Sequence, residues 1–197
     1  MSSDKIEYLL EMWPLSEGTE DHLSSHHLLL RDRTRNEAFR RAIHRTIQPG
    51  DVVLDVGAGT GILSAFALQA GARHVYLVES VDILSCAREI LRRVGWSERV
   101  TFVRGDAEKL RYRGKKADTI IAELIGCFGI EENILDILPP ARDQALRRGG
   151  TIIPRALRLL VAPVAYPALE RELRLYRSVR YGVDFSPLAS LADNNIY

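Results

Sequence analysis

Residues 52–62 read VVLDVGAGTGI, and this stretch decides the fold. Val52, Val53, Leu54 and Val56 surround one acid, Asp55, in a run too short for a helix, so the spacing predicts a buried strand over Val52–Val56. Gly57, Gly59 and Gly61 follow at once. Residues without a Cβ turn the chain tightly there and let backbone approach a ligand. Ile62 to Ala70 is then expected to be helical, with Gly71 as its stop. A strand, a glycine turn and a helix form the first unit of a parallel α/β sheet.

The same alternation extends downstream. Val75–Val78 reads as a strand ending on Glu79, residues 83–94 as a helix, and Val100–Arg104 as a strand leading into Gly105-Asp106. Thr119–Ala122 reads as a strand ending on Glu123, then come a helix around Asn133–Leu146 and a strand Thr151–Ile153 closed by Pro154. Strands joined by crossover helices predict a doubly wound, mainly parallel sheet. Upstream, Ile6, Leu9, Leu10 and Trp13 fall at helical spacing, Pro14 to Asp21 reads as a loop, and Arg31–Ile47 reads as one amphipathic helix ending at Pro49-Gly50. Beyond Pro154 the alternation stops, leaving a strand candidate at Leu157–Ala162 and a helix candidate at Glu170–Arg180. The expected organisation is an N-terminal helical segment over 1–48, an α/β core over 49–154, and an extension over 155–197.

Composition bounds the function. With 46% hydrophobic and 27% charged residues, the 197-residue chain is neither disordered nor fibrous. Its net charge of +1 argues against a dedicated nucleic-acid binder. Cys86 and Cys127 are the two cysteines, which excludes a disulfide scaffold and a cysteine-built zinc site and makes a reducing compartment the expectation. No signal-peptide pattern and no membrane-length apolar run is present, so a cytoplasmic location is expected, with no membrane partner.

The glycine loop has to be told apart from other phosphate and nucleotide loops. Ile62 stands where a dinucleotide fingerprint would carry its third glycine, and no Lys-Ser/Thr follows, so it is not a P-loop. Glu79, ending the second strand, can accept from both hydroxyls of a ribose, a feature shared by nicotinamide and S-adenosylmethionine sites. The glycine spacing together with Asp55 favours S-adenosylmethionine, against the plainer reading of a structural strand-to-helix turn. Asp106, Ala107 and Glu108, after the third strand, fall where an adenine ring would lie; ordinary solvated acids are the alternative.

Glu123 lies on the same rim, and Glu131-Glu132 arrive at the start of the next helix. Two carboxylates converging there suit a planar cation, and a guanidinium offers a donor fork that matches carboxylates. Its pKa lies far above neutrality, so the work left to the acids is orientation. Acids also simply favour a helix N-terminus, which is the other reading of Glu131 and Glu132. His22 and His26 have a helical metal spacing without a third ligand, so no metal is expected. The six arginines between Arg31 and Arg45 read as a solvated face from which one could reach a cofactor carboxylate.

From Arg31 to about Leu188 these residues resemble the protein arginine methyltransferases, specifically their cofactor-binding half. VLDVGAGTGILSAFALQAGARHVYLVES is similar to the family's first motif and the strand after it, and DTIIAELIGCFGIEEN to its double-glutamate loop. The resemblance implies a class I, Rossmann-like S-adenosylmethionine-dependent methyltransferase that releases S-adenosylhomocysteine. The loop's spacing selects Glu123 and Glu132 as the clamp on an acceptor arginine. It also implies that Gly57 approaches the methionine portion, that Glu79 holds the ribose and Glu108 lies by the adenine, and that Arg35, with His26 nearby, meets the cofactor carboxylate. An arginine-containing protein or peptide is the favoured acceptor, with free arginine or a small guanidine as alternatives.

Departures from the family pattern are also legible. Its N-terminal aromatic pair falls on Ser16–Glu20, Ala122 replaces a serine, and Leu124-Ile125 replace Trp-Met. The sequence ends where the family's β-barrel would follow. A homodimer, a small-metabolite methyltransferase of the same fold, and a non-catalytic subunit that completes a partner all remain open at this point.

Overall fold

The computed structural model describes residues 19–126, 129–130, 132–163 and 165–193. The helix expected over residues 4–13 lies outside them, as do Cys127 and Glu131. Contacts divide the chain into two units, one ending at Arg158 and one beginning at Leu159.

In the first unit, helices α1 (Thr19–Arg31) and α2 (Arg33–Thr46) precede the alternating elements. These are β1 (Val52–Val56), α3 (Ile62–Gln69), β2 (His74–Glu79), α4 (Ile83–Arg93), β3 (Val100–Arg104), β4 (Ala117–Ala122), α5 (Ile134–Ala145) and β5 (Leu146–Ile153). The five strands form one sheet in the order β3-β2-β1-β4-β5. Every pairing is parallel, with Leu54 between Tyr76 and Ile120 at the centre. The expected doubly wound parallel sheet is therefore present.

Alternation along β1 sorts the two cores. Val53 faces one side, where Phe39 and Ile43 of α2, Leu63 and Ala67 of α3, and Ala87 and Leu91 of α4 pack on the sheet. Leu54 and Val56 face the other, against Ile137, Ala141 and Ala145 of α5. Each fully buried aliphatic side chain contributes roughly 1.5–3 kcal/mol. The chain winds from β1 to β3 on one face and from β4 to β5 on the other, so the order reverses between β1 and β4. A crevice opens at the carboxyl ends of strands at such a reversal.

Some expectations are corrected. Arg31–Ile47 is not one helix: α1 ends at Arg31, and the Asp32 side chain caps α2 by accepting from the Arg35 N–H at 2.9 Å. The loop expected to Asp21 gives way to helix at Thr19. The last strand begins at Leu146 rather than Thr151, accommodated by a register shift between Ala117 and Thr119. In the second unit, α6 (Pro167–Leu173) is followed by a 3-10 turn over Arg174–Arg177, so the helix expected through Arg180 stops early. Its last residues instead enter a hairpin of β6 (Val179–Arg180) and β7 (Val183–Asp184). Tyr181 and Gly182 turn that hairpin with φ of 52° and 77°, the positive pair that a tight two-residue turn needs. Helix α7 (Ala189–Asp193) follows. Leu157–Ala162 forms no strand; no described neighbour supplies the ladder its backbone would need. Among the described residues no helix is long and apolar enough to cross a membrane.

Candidate active site

The turn after β1 is built from the backbone. Gly57 and Ala58 N–H groups both donate to the Val78 carbonyl at 3.0 and 3.1 Å, which ties the loop to the end of β2. Gly57, Gly59 and Gly61 have φ of 68°, 53° and 77°, conformations that side chains with a Cβ resist. A Cβ on Gly59 would lie 2.5 Å from the His26 ring Cε1, and one on Gly57 would lie 2.8 Å from Leu124 Cδ2. Gly61 instead packs inward, where a Cβ would meet Ala87 of α4 at 3.3 Å.

Glu79 locks this loop in place. Its Oε2 accepts from the Gly59 N–H at 2.8 Å, while Oε1 accepts from Ser80 and Val81 N–H at 2.7 and 3.1 Å. Asp55 lies beneath, fully buried, with Oδ2 accepting from the Ser64 hydroxyl at 2.6 Å and Oδ1 without a hydrogen-bond partner. Burial pushes its pKa up to about 7 against the opposing Ser64 hydrogen bonds, and the nearby Glu79 charge adds to the rise.

Above the loop, Arg35 projects from the first turn of α2. Its Nη1 donates to Asn36 Oδ1 at 2.8 Å, its Nη2 forms an ion pair with Glu123 Oε2, and its guanidinium carbon lies 5.5 Å from the Phe39 ring centroid. The remaining donor, Nε, is buried and unpartnered. Asn36 is held in turn by the Leu29 and Leu30 carbonyls at the end of α1, at 2.9 and 3.0 Å.

Arg35, Gly57, Gly59, Glu79 and Glu123 line one cleft of about 730 Å³ at the carboxyl ends of β1, β2 and β4. Of the residues singled out from sequence, it brings together His26, Arg35, Gly57, Gly59, Glu79, Asp106, Ala107, Glu123 and Glu132. It does not bring in Asp55, Gly61 or Glu108. Asp55 supports the loop from below and Gly61 serves helix packing. The Glu108 N–H donates to the Asp106 side chain in a short 3-10 turn, leaving the Glu108 carboxylate exposed outside the cleft. Sequence reading missed Asn36, Phe39 and Ser80; only tertiary contact marks them, since each is an ordinary residue beside a singled-out one. Among the described residues no group of three or more His, Cys, Asp or Glu side chains could hold a metal ion.

A cleft with backbone-only walls at Gly57 and Gly59, a carboxylate at the end of β2 and a buried unpaired Arg donor has the chemistry to take an amino-acid-bearing nucleoside. A methyltransferase domain model matches residues 53–150. A probable protein arginine N-methyltransferase 6 from Arabidopsis thaliana is 38% identical over 174 residues, 87% of this chain and 40% of that protein. Protein arginine N-methyltransferase 1 from Saccharomyces cerevisiae is 36% identical over 173 residues, 87% of this chain and 50% of that one. Over 87% of its length the chain is thus similar to protein arginine methyltransferases.

Solved structures extend the likeness to three dimensions. The Trypanosoma brucei PRMT1 enzyme–prozyme heterotetrameric complex with AdoHcy superposes with a TM-score of 0.75 at 30% identity, over 87% of this chain and 55% of that one. Arabidopsis thaliana protein arginine methyltransferase 10 gives 0.70 at 30% identity, over 83% and 51%. The sheet is thus the Rossmann-like methyltransferase fold. The chain spans about half the length of the curated relatives it matches.

Proposed function

We propose that the chain is an S-adenosylmethionine-dependent N-methyltransferase whose acceptor is a guanidino nitrogen of arginine in a protein or peptide. The observation that carries this reading is that Glu123 and Glu132 line the same cleft as Gly57, Gly59 and Glu79. Cofactor-binding and acceptor-binding chemistry then share one cavity at the sheet's reversal. The names of the relatives support the acceptor class.

Gly57 and Gly59 would admit the methionine portion against bare backbone, Arg35 would take its carboxylate, Glu79 would hold the ribose, and Asp106 with Ala107 would flank the adenine. When bound, S-adenosylmethionine supplies an electrophilic methyl on a sulfonium, and S-adenosylhomocysteine is what leaves. Glu123 and Glu132 hold the acceptor plane by charge-assisted hydrogen bonds. They draw positive charge toward the nitrogens they touch and leave the remaining nitrogen aimed along the line of transfer. A guanidinium keeps its proton far above neutral pH, so proton loss follows bond formation. Leu124 and Ile125 line the wall beside Glu123.

The T. brucei relative assembles with a prozyme, and that likeness supports a second reading in which this chain works with a partner subunit or as a homodimer. Two cysteines and no membrane-spanning helix among the described residues fit a cytoplasmic enzyme. Methyl transfer to arginine peptides, free arginine and a panel of small acceptors, read by mass spectrometry, tests the proposal. Methylated arginine peptide is expected; transfer to none of them, with or without a barrel-bearing homologous partner, would remove it.

A further inference from the structure

Arg35 and Glu123 are assigned to different ligands, yet they hold each other. The Arg35 Nη2 donates to Glu123 Oε2 across the cleft, between the start of α2 and the end of β4. This is a guanidinium seated on the very carboxylate proposed to seat a guanidinium. Both side chains are shielded, with 16% and 14% of their surface exposed, so solvent screens the pair far less than it would on an open surface. Glu123 must give up this partner, or share it, before another cation can occupy the same oxygen.

The remainder of Arg35 is prepared for a different anion. Phe39 and Asn36 hold its guanidinium in place, and Asn36 is anchored to the last turn of α1. Nε alone is buried without a partner, which disfavours the side chain's present environment until an acceptor arrives. A carboxylate beside this guanidinium would satisfy Nε and compete with Glu123 for the charge.

Resting on the functional reading above, we infer that Arg35 is an internal stand-in for the acceptor. In the cofactor-free chain it occupies Glu123, and capture of the cofactor's carboxylate by Arg35 releases Glu123 to the incoming guanidinium. The two sites are then coupled through a single side chain, and the acceptor binds well only after the cofactor. Thermodynamic reciprocity requires the acceptor to tighten cofactor binding by the same factor.

The test is calorimetric titration of the full chain with acetyl-arginine amide, without and with saturating S-adenosylhomocysteine. Wild type is expected to bind at least about tenfold more weakly without the cofactor product, within the range usual for coupled sites. Arg35→Gln without the product should bind as tightly as loaded wild type, and Arg35→Lys, which keeps a cation but not the fork, should fall between. In unaltered protein, the Arg35 Nε–Hε NMR resonance should shift on adding S-adenosylhomocysteine. Equal affinity of wild type with and without the product, an Arg35→Gln chain that binds no better than cofactor-free wild type, or an unmoved resonance in loaded protein would each overturn the inference while leaving the functional reading intact. Loaded wild type that binds no acetyl-arginine amide, or a loaded Glu123→Gln chain that binds it undiminished, would overturn the functional reading and this inference with it.

Discussion

The proposed function assigns the acceptor to Glu123 and Glu132. Glu123→Gln and Glu132→Gln are expected to lower turnover by roughly a hundredfold or more, the scale of losing a transition-state-orienting group. S-adenosylhomocysteine should bind either variant no more weakly than it binds wild type, as read by calorimetry. Asp55 gives a pH prediction of definite sign. Its folded pKa, about 7, stands above the ordinary 3.8. Between these values the folded chain keeps a proton that the unfolded chain has lost, so stability falls as pH rises. Asp55→Asn is neutral throughout and can still accept from Ser64. Urea midpoints of variant and wild type should therefore diverge in the variant's favour from pH 4 to 7, by at most roughly 4 kcal/mol at 1.36 kcal/mol per pKa unit. Residue identities at this scale were partly legible because chemistry follows residue type: Glu79 and Glu123 announced themselves by charge at the ends of apolar runs, whereas Arg35 was singled out from six arginines only by the family resemblance. Asp55 was legible as a member of the loop but not as its buried support, because burial is not written in a residue's name.

At the scale of elements, α2 is the piece that presents Arg35, and its start depends on one cap. Asp32→Ala removes the acceptor of the Arg35 N–H. It should cost about 1 kcal/mol, the usual value of an N-cap, read as a shift in the urea midpoint. It should also weaken S-adenosylhomocysteine binding, since the first turn of α2 carries the arginine. Sequence periodicity merged the end of α1 with α2 because the break is a single residue and Asp32 is followed three positions on by Arg35, not by the Glu or Gln of a capping box. Leu157–Ala162 misled for the opposite reason: its apolar, β-favouring residues meet the local preference for a strand, but a strand also requires a neighbour to pair with.

For the whole molecule, every described residue lining the cleft lies at or before Ile137, and the five strands of the parallel sheet end by Ile153. A chain cut after Arg158 should therefore keep its affinity for S-adenosylhomocysteine within about twofold of the uncut chain; loss of binding would place part of the cofactor site beyond that residue. Saturation should also raise the thermal midpoint. At a hundred times Kd the linkage is about 2.7 kcal/mol, which for a chain of this size means roughly 5–10 °C, measurable by calorimetric or fluorescence melting.

Hydrophobic periodicity and turn chemistry act over neighbouring residues, so the sequence alone determined the α/β alternation, the glycine turn and the kinds of side chain at each strand end. Which faces those strands present, and which ends meet, depends on the order β3-β2-β1-β4-β5, set by packing among segments far apart in the chain. Only the tertiary structure could therefore decide that Asp55 lies under the loop, that Gly61 and Glu108 stand outside the cleft, and that Arg35 rests on Glu123. That last pairing spans 88 positions of sequence, a separation at which no local pattern carries information.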